Sequence, residues 1–261
     1  MNAIIRGKPD NLDQLGQRFA RAKLATPVFL NSVPKAGTHL IRNIFRMFVA
    51  DEQHWKREFI QHAILRHSLP AFSAQTPHVS WGHLLFSDEA AIALRDVRHV
   101  VLVRDPYDWV LARARFYLSD EFEGPLQNVR GGAASVEDIL NMMIMGVHNK
   151  VPSLADIYTF NAAAWMNGRA RIVQYEALVD QVRDLGSKRA ETFFRELMAF
   201  CDIALPDDWR DRVEVGSDRR ESRTARENLK TEVELPDVLP ELQRRLVDFH
   251  APGLRALLGY G

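Results

Sequence analysis

The chain has 261 residues, 46% of them hydrophobic, which is enough for one large core. Its 34 Lys plus Arg balance 34 Asp plus Glu, so no global field favours a nucleic acid or an anionic membrane, and any basic site must be local. A single cysteine, Cys201, excludes an internal disulfide framework and a Cys-rich zinc site.

The first 24 residues lack the apolar segment of a signal peptide, and no run of about 18 uninterrupted apolar residues follows. A cytoplasmic protein without a membrane span, folded as one domain over residues 1–261, is expected. Val28 to Val33 reads as a short buried strand. After the turn Pro34-Lys35-Ala36-Gly37-Thr38, Leu40, Ile41, Ile44, Phe45 and Phe48 recur at helical spacing. A strand-like run then leads to His83 in HVSWGHLLF. HVVLVR, His99 to Arg104, is the clearest buried strand, and DPYDWVLARARFYL predicts a helix with Asp105 at its start and Pro106 in its first turn. SVEDILNMMIMGV and SLADIYTFNAAAWMNG read as helices N-capped by Ser135 and Ser153. Ala170 to Tyr175 is a third strand, followed by a helical pattern from Lys188 to Cys201, and GSDRRESRTARENLKTE reads as a charged surface loop. This alternation predicts an α/β fold, a three-layer sandwich around a central, mainly parallel sheet.

A turn between a strand and a helix is where backbone amides gather around an anion. The Walker loop requires Gly, four residues, Gly-Lys, then a Ser or Thr that holds magnesium. Here the lysine precedes the glycine. Pro34 fixes the chain entering the turn, Gly37 lets the backbone close over a ligand, and Thr38 offers an N-cap hydroxyl. The amides of Lys35, Ala36, Gly37, Thr38 and His39 are then placed to face one phosphate, with the Lys35 ammonium beside them. Arg104 ends the best strand, on the edge where open α/β sheets bind ligands, and its planar fork suits a phosphate. His83 stands 21 residues before Arg104 and is one of nine histidines, so its position alone says little.

In this order and at these separations, PKAGTHL, WGHL and VLVRDPYDWVLARARFY resemble the sulfotransferases that use 3′-phosphoadenosine 5′-phosphosulfate (PAPS). Weaker similarity runs through EDILNMMIMG, YTFNAAAW and VQYEAL, and SRTARENLK resembles a shortened form of the family's basic cofactor loop. That places the motif-bearing core at about residues 27 to 230. The closing LRALLGYG resembles the end of many bacterial members. The resemblance implies the P-loop-like sulfotransferase fold, with PAPS as co-substrate and 3′,5′-bisphosphoadenosine (PAP) as product.

Sulfuryl transfer moves a neutral SO3 unit between two oxygens, so it needs a base for the incoming hydroxyl and a cation on the departing phosphate. The resemblance assigns His83 as the base and Lys35 as the cation. It gives Ala36, Gly37, Thr38 and His39 to the same phosphate, Arg104 to the 3′-phosphate, Tyr175 to the neighbourhood of the adenine, and Arg226 to closure over the 3′-phosphate. No metal is required by this chemistry, whereas a kinase would want magnesium between its phosphates.

Three positions depart from the family pattern. Ala112 replaces a 3′-phosphate serine, Leu40 replaces an aromatic that stacks on adenine, and Trp81 replaces a lysine that assists the chemistry. Arg113 or Arg115 is close enough along the helix to substitute a charge for the missing hydroxyl. Aromatic-rich stretches at 45–59, 81–86, 116–122 and 142–148 correspond to the family's acceptor pocket. A small-molecule or glycoconjugate hydroxyl acceptor is expected, with no nucleic acid partner. A magnesium-dependent nucleoside or nucleotide kinase, or a non-catalytic nucleotide-binding protein, are the alternatives. Oligomeric state is left open.

Overall fold

The computed structural model describes residues 4–5, 10–120, 122–123, 133–222, 229, 231 and 233–261. Among these the strands are β1 (Ile4–Ile5), β2 (Val28–Ser32), β3 (Ile60–Gln61), β4 (Val79–His83), β5 (Arg98–Val103), β6 (Phe122–Glu123) and β7 (Arg171–Gln174). The helices are α1 (Leu12–Gly16), α2 (Thr38–Arg46), α3 (Leu65–Ser68), α4 (Asp88–Ala93), α5 (Pro106–Leu118), α6 (Val136–Met145), α7 (Leu154–Asn161), α8 (Tyr175–Arg183), α9 (Lys188–Phe200), α10 (Trp209–Gly216), α11 (Glu241–His250) and α12 (Leu254–Leu257).

Five strands form the central sheet in the order β3-β4-β2-β5-β7, with every neighbouring pair parallel. The residue runs explain why. Successive strand side chains point to opposite faces, and a parallel sheet covered on both sides needs apolar residues on each. Phe29, Val101 and Val103 enter one core, with α5, α6 and α7; Val28, Leu30, Val100 and Leu102 enter the other, with α2, α9 and α10. Each of these strand residues is fully buried, which stabilises the fold by about 1.5–3 kcal/mol per side chain. The result is the three-layer α/β arrangement.

Parallel pairing also brings the carboxyl ends of β2, β4, β5 and β7 to one edge. Ser32, His83, Arg104 and Tyr175 stand at or just beyond those ends. From β2 the chain passes to β3 and β4 on one side and then crosses to β5 on the other, so strand order reverses at β2, the place where open α/β sheets bind ligands.

Local signals hold at most boundaries. Asp105 caps α5 by accepting from the Tyr107 amide at 3.0 Å, with Pro106 in the first turn. Ser135 and Ser153 each form a reciprocal capping box, with Asp138 and Asp156. Thr38 is not the cap of α2. Gly37 takes that place at φ 96°, and Thr38 is the first helical residue. The helix expected from Ser153 through Gly168 breaks after Asn161, because Trp165 turns inward and its indole N–H donates to the Leu84 carbonyl at 3.3 Å.

Candidate functional site

His83 is the last residue of β4. Beyond it the chain is held by the Asn31 side chain, which donates to the Leu84 carbonyl at 3.0 Å and accepts from the Leu84 amide at 2.9 Å. Gly82 beside it packs on β3 so closely that a Cβ would lie 2.0 Å from the Ile60 carbonyl oxygen. His83 Nδ1 lies 2.9 Å from the Ser32 carbonyl and 3.1 Å from Ser32 Oγ. A carbonyl only accepts, so Nδ1 carries the hydrogen and the lone pair is on Nε2. Burial, with the Lys35 charge acting in the same direction, pushes the imidazole down to about 4 against the Ser32 hydrogen bond. The Phe59 ring meets it edge-on at 4.7 Å. A neutral imidazole with a fixed tautomer is suited to accept a proton.

The loop after β2 holds an unusual backbone. Lys35 is in the left-handed region at φ 67°, costing about 1–2 kcal/mol for a residue with a Cβ. Gly37 follows at φ 96°. The Ala36 amide closes the turn on the Val33 carbonyl at 3.0 Å, so it is already committed. The amides of Lys35, Gly37 and Thr38 have no acceptor among the described residues. The Trp109 indole N–H donates to the Pro34 carbonyl and ties the loop to α5. Thr38 Oγ1 meets Ser32 Oγ at 2.5 Å. Ser32 therefore joins the phosphate-type turn to the histidine, a link that sequence reading missed because a strand serine carries no motif.

The half-buried Lys35 ammonium sits over the Phe116 ring, 3.6 Å from its centroid. Burial, with the Arg104 charge adding to it, pushes its pKa down to about 7. Arg104 lies over the Tyr175 ring at 4.7 Å and makes a long contact to the Lys35 carbonyl at 3.4 Å, while its buried Nε has no partner. Neither cation has a carboxylate partner among the described residues. Tyr175 opens α8 and packs against Gly37; a Cβ there would come within 2.4 Å of Tyr175 Cδ2. Two cations without carboxylate partners among the described residues, beside uncommitted amides, have the chemistry to hold an anion.

Not every expected residue joins this cluster. The Arg113 fork is buried and donates to the Met143 and Pro152 carbonyls, both at 2.9 Å, so it fastens α5 to α6 and the segment after it instead of standing in for the missing serine. Arg226 lies outside the described residues. His39 meets Trp81 edge-on at 5.2 Å, and Trp81 also meets Phe59 edge-on at 4.8 Å. A cavity of about 270 Å³ opens between Trp81, Phe59, Arg42 and residues 54–58.

Comparison with known proteins separates sequence from shape. No family model and no curated protein matches the sequence. A solved structure does match: mouse sulfotransferase SULT7A1 complexed with PAP, at a TM-score of 0.53 and 17% identity, over 96% of this chain and 92% of that one. The fold is the sulfotransferase fold. At that identity the likeness is one of architecture, and the sulfotransferase-fold chain must be read through its own side chains. Among its described residues, no helix is long and apolar enough to cross a membrane, and no group of three or more His, Cys, Asp or Glu is placed to hold a metal ion.

Proposed function

We propose that the protein transfers a sulfuryl group from PAPS to a hydroxyl of a small-molecule or glycoconjugate acceptor, releasing PAP. One observation carries the reading: Lys35 and Arg104, on neighbouring loops, are without carboxylate partners beside the neutral, tautomer-fixed His83. His83 Nε2 takes the acceptor proton as the acceptor oxygen bonds to sulfur. The bond from sulfur to the 5′-phosphate oxygen breaks, and Lys35 with the amides of Gly37, Thr38 and His39 meets the charge left there. Arg104 takes the 3′-phosphate, and the Tyr175 ring beneath it borders the nucleotide. The chemistry calls for no metal.

Incubation with radiolabelled PAPS and a panel of hydroxyl acceptors, with EDTA present, tests this reading. Label transfer to an acceptor supports it. Label transfer only from ATP, and only with magnesium, would establish a kinase instead.

A further inference from the structure

The C-terminal segment, remote in sequence from every residue of the site, grips its underside at three points. Arg255 makes a bidentate pair with Asp105, 150 residues away, at 3.0 and 2.8 Å. The Leu258 carbonyl accepts from Gln174 Nε2 at 2.8 Å. The Tyr260 hydroxyl donates to Glu176 Oε2 at 2.6 Å, and the other Glu176 oxygen accepts from the Asp105 amide at 3.1 Å. Asp105 follows Arg104 and Glu176 follows Tyr175, so these contacts brace the two strand ends that carry the guanidinium and the ring beneath it.

The position of Glu176 is the telling feature. Its carboxylate is bonded to the residue next to Arg104, yet Arg104 makes no ion pair among the described residues. Both carboxylate oxygens are already held, one by the Asp105 amide and one by the Tyr260 phenol. Burial and Glu176 itself hold that phenol protonated, so it stays a donor. Remove the donor, and one oxygen is freed on a carboxylate anchored to the residue that follows Arg104, a charge-assisted partner for that guanidinium.

We infer that Tyr260 is a positioning residue for nucleotide recognition: by holding Glu176, it keeps Arg104 available for a 3′-phosphate. The inference rests on the reading of Arg104 given above. Tyr260 touches neither substrate nor the reacting atoms, so its effect should fall on one part of the ligand. Without its hydroxyl, Glu176 competes as an internal anion for Arg104, and a ligand bearing the 3′-phosphate must displace it.

The test is calorimetric titration of PAP and of adenosine 5′-phosphate into the full chain at fixed salt. In Tyr260→Phe, affinity for PAP should fall roughly tenfold while affinity for adenosine 5′-phosphate changes less than about twofold. The double variant Tyr260→Phe with Glu176→Gln keeps an oxygen for the Asp105 amide and removes the competing charge, so it should recover PAP affinity to near wild type. A loss equal for both ligands, a loss that persists in the double variant, or no loss at all would each overturn the inference. If wild-type protein does not prefer PAP over adenosine 5′-phosphate, the reading of Arg104 fails first.

Discussion

Lys35 lies 3.6 Å from the centroid of the Phe116 ring, its charge met by a π face and by no carboxylate among the described residues. With a folded pKa of about 7 against 10.5 for a free lysine, it is largely neutral at pH 8 until an anion arrives. An anion favours the charged form, so binding should draw a proton from solvent. Titration with PAP at pH 8, in buffers of different ionisation enthalpy, should read an uptake approaching one proton, and Lys35→Met should abolish it. Zero uptake in wild type would refute the placement. The sign for folding is opposite to a stabilising pair. The unfolded chain binds more protons between pH 7 and 10.5, so the burial penalty is full below pH 7 and is relieved as pH rises through that window.

His83 at about 4 is already neutral where an unperturbed histidine would be charged. The pH profile of kcat/KM should therefore have its acid limb near 4 and its alkaline limb near 7, where Lys35 loses its proton in the free protein. His83→Ala should cut turnover by about 10²- to 10⁴-fold and leave PAP affinity nearly unchanged. An acid limb at about 6.5 in wild type, or undiminished turnover in the variant, would remove the histidine from the chemistry.

Arg104 and Arg113 should separate cleanly. Arg104→Ala should cost roughly 10- to 150-fold in affinity for PAP, with little change for adenosine 5′-phosphate, because one charge-assisted contact to the 3′-phosphate is lost. Arg113→Ala should leave the ratio between the two ligands intact. It should instead lower unfolding free energy by about 1.5–3 kcal/mol, since the Met143 and Pro152 carbonyls lose their charged donor in a buried place. Ligand titration beside denaturant melts reads both. A changed ligand ratio in Arg113→Ala would return that residue to the nucleotide site.

Gly37→Ala should impair binding more than its single methyl implies. The position requires φ 96°, and the new Cβ would meet Tyr175 Cδ2 at 2.4 Å. The ring must shift, and Arg104 above it moves too. PAP affinity should fall by more than about tenfold while the far-UV circular dichroism stays that of wild type. Unchanged affinity would mean that Tyr175 is not held by this contact.

The strands β2, β4, β5 and β7 and the starts of α5, α6, α7 and α9 were legible because they depend on neighbours in sequence. HVVLVR is apolar on both faces, Ser135 and Ser153 carry their capping carboxylates three residues on, and Asp105-Pro106 opens a helix by itself. The order of PKAGTHL, WGHL and VLVRDP marked Lys35, His83 and Arg104, and parallel pairing brings those loops to one edge. Other features depended on contacts no sequence spacing encodes. Whether Arg113 faces a ligand or the Met143 and Pro152 carbonyls is a matter of how α5 rolls against α6. That position 37 must be a glycine follows from the Tyr175 ring, 138 residues on, which fills the space a side chain would need. The lowered pKa values of Lys35 and His83 arise from burial, and Tyr260 reaches Glu176 across 84 residues. Local chemistry declares the elements and the charged groups. Desolvation, ring contacts and the partners of buried charges exist only after packing has excluded water and chosen which groups meet.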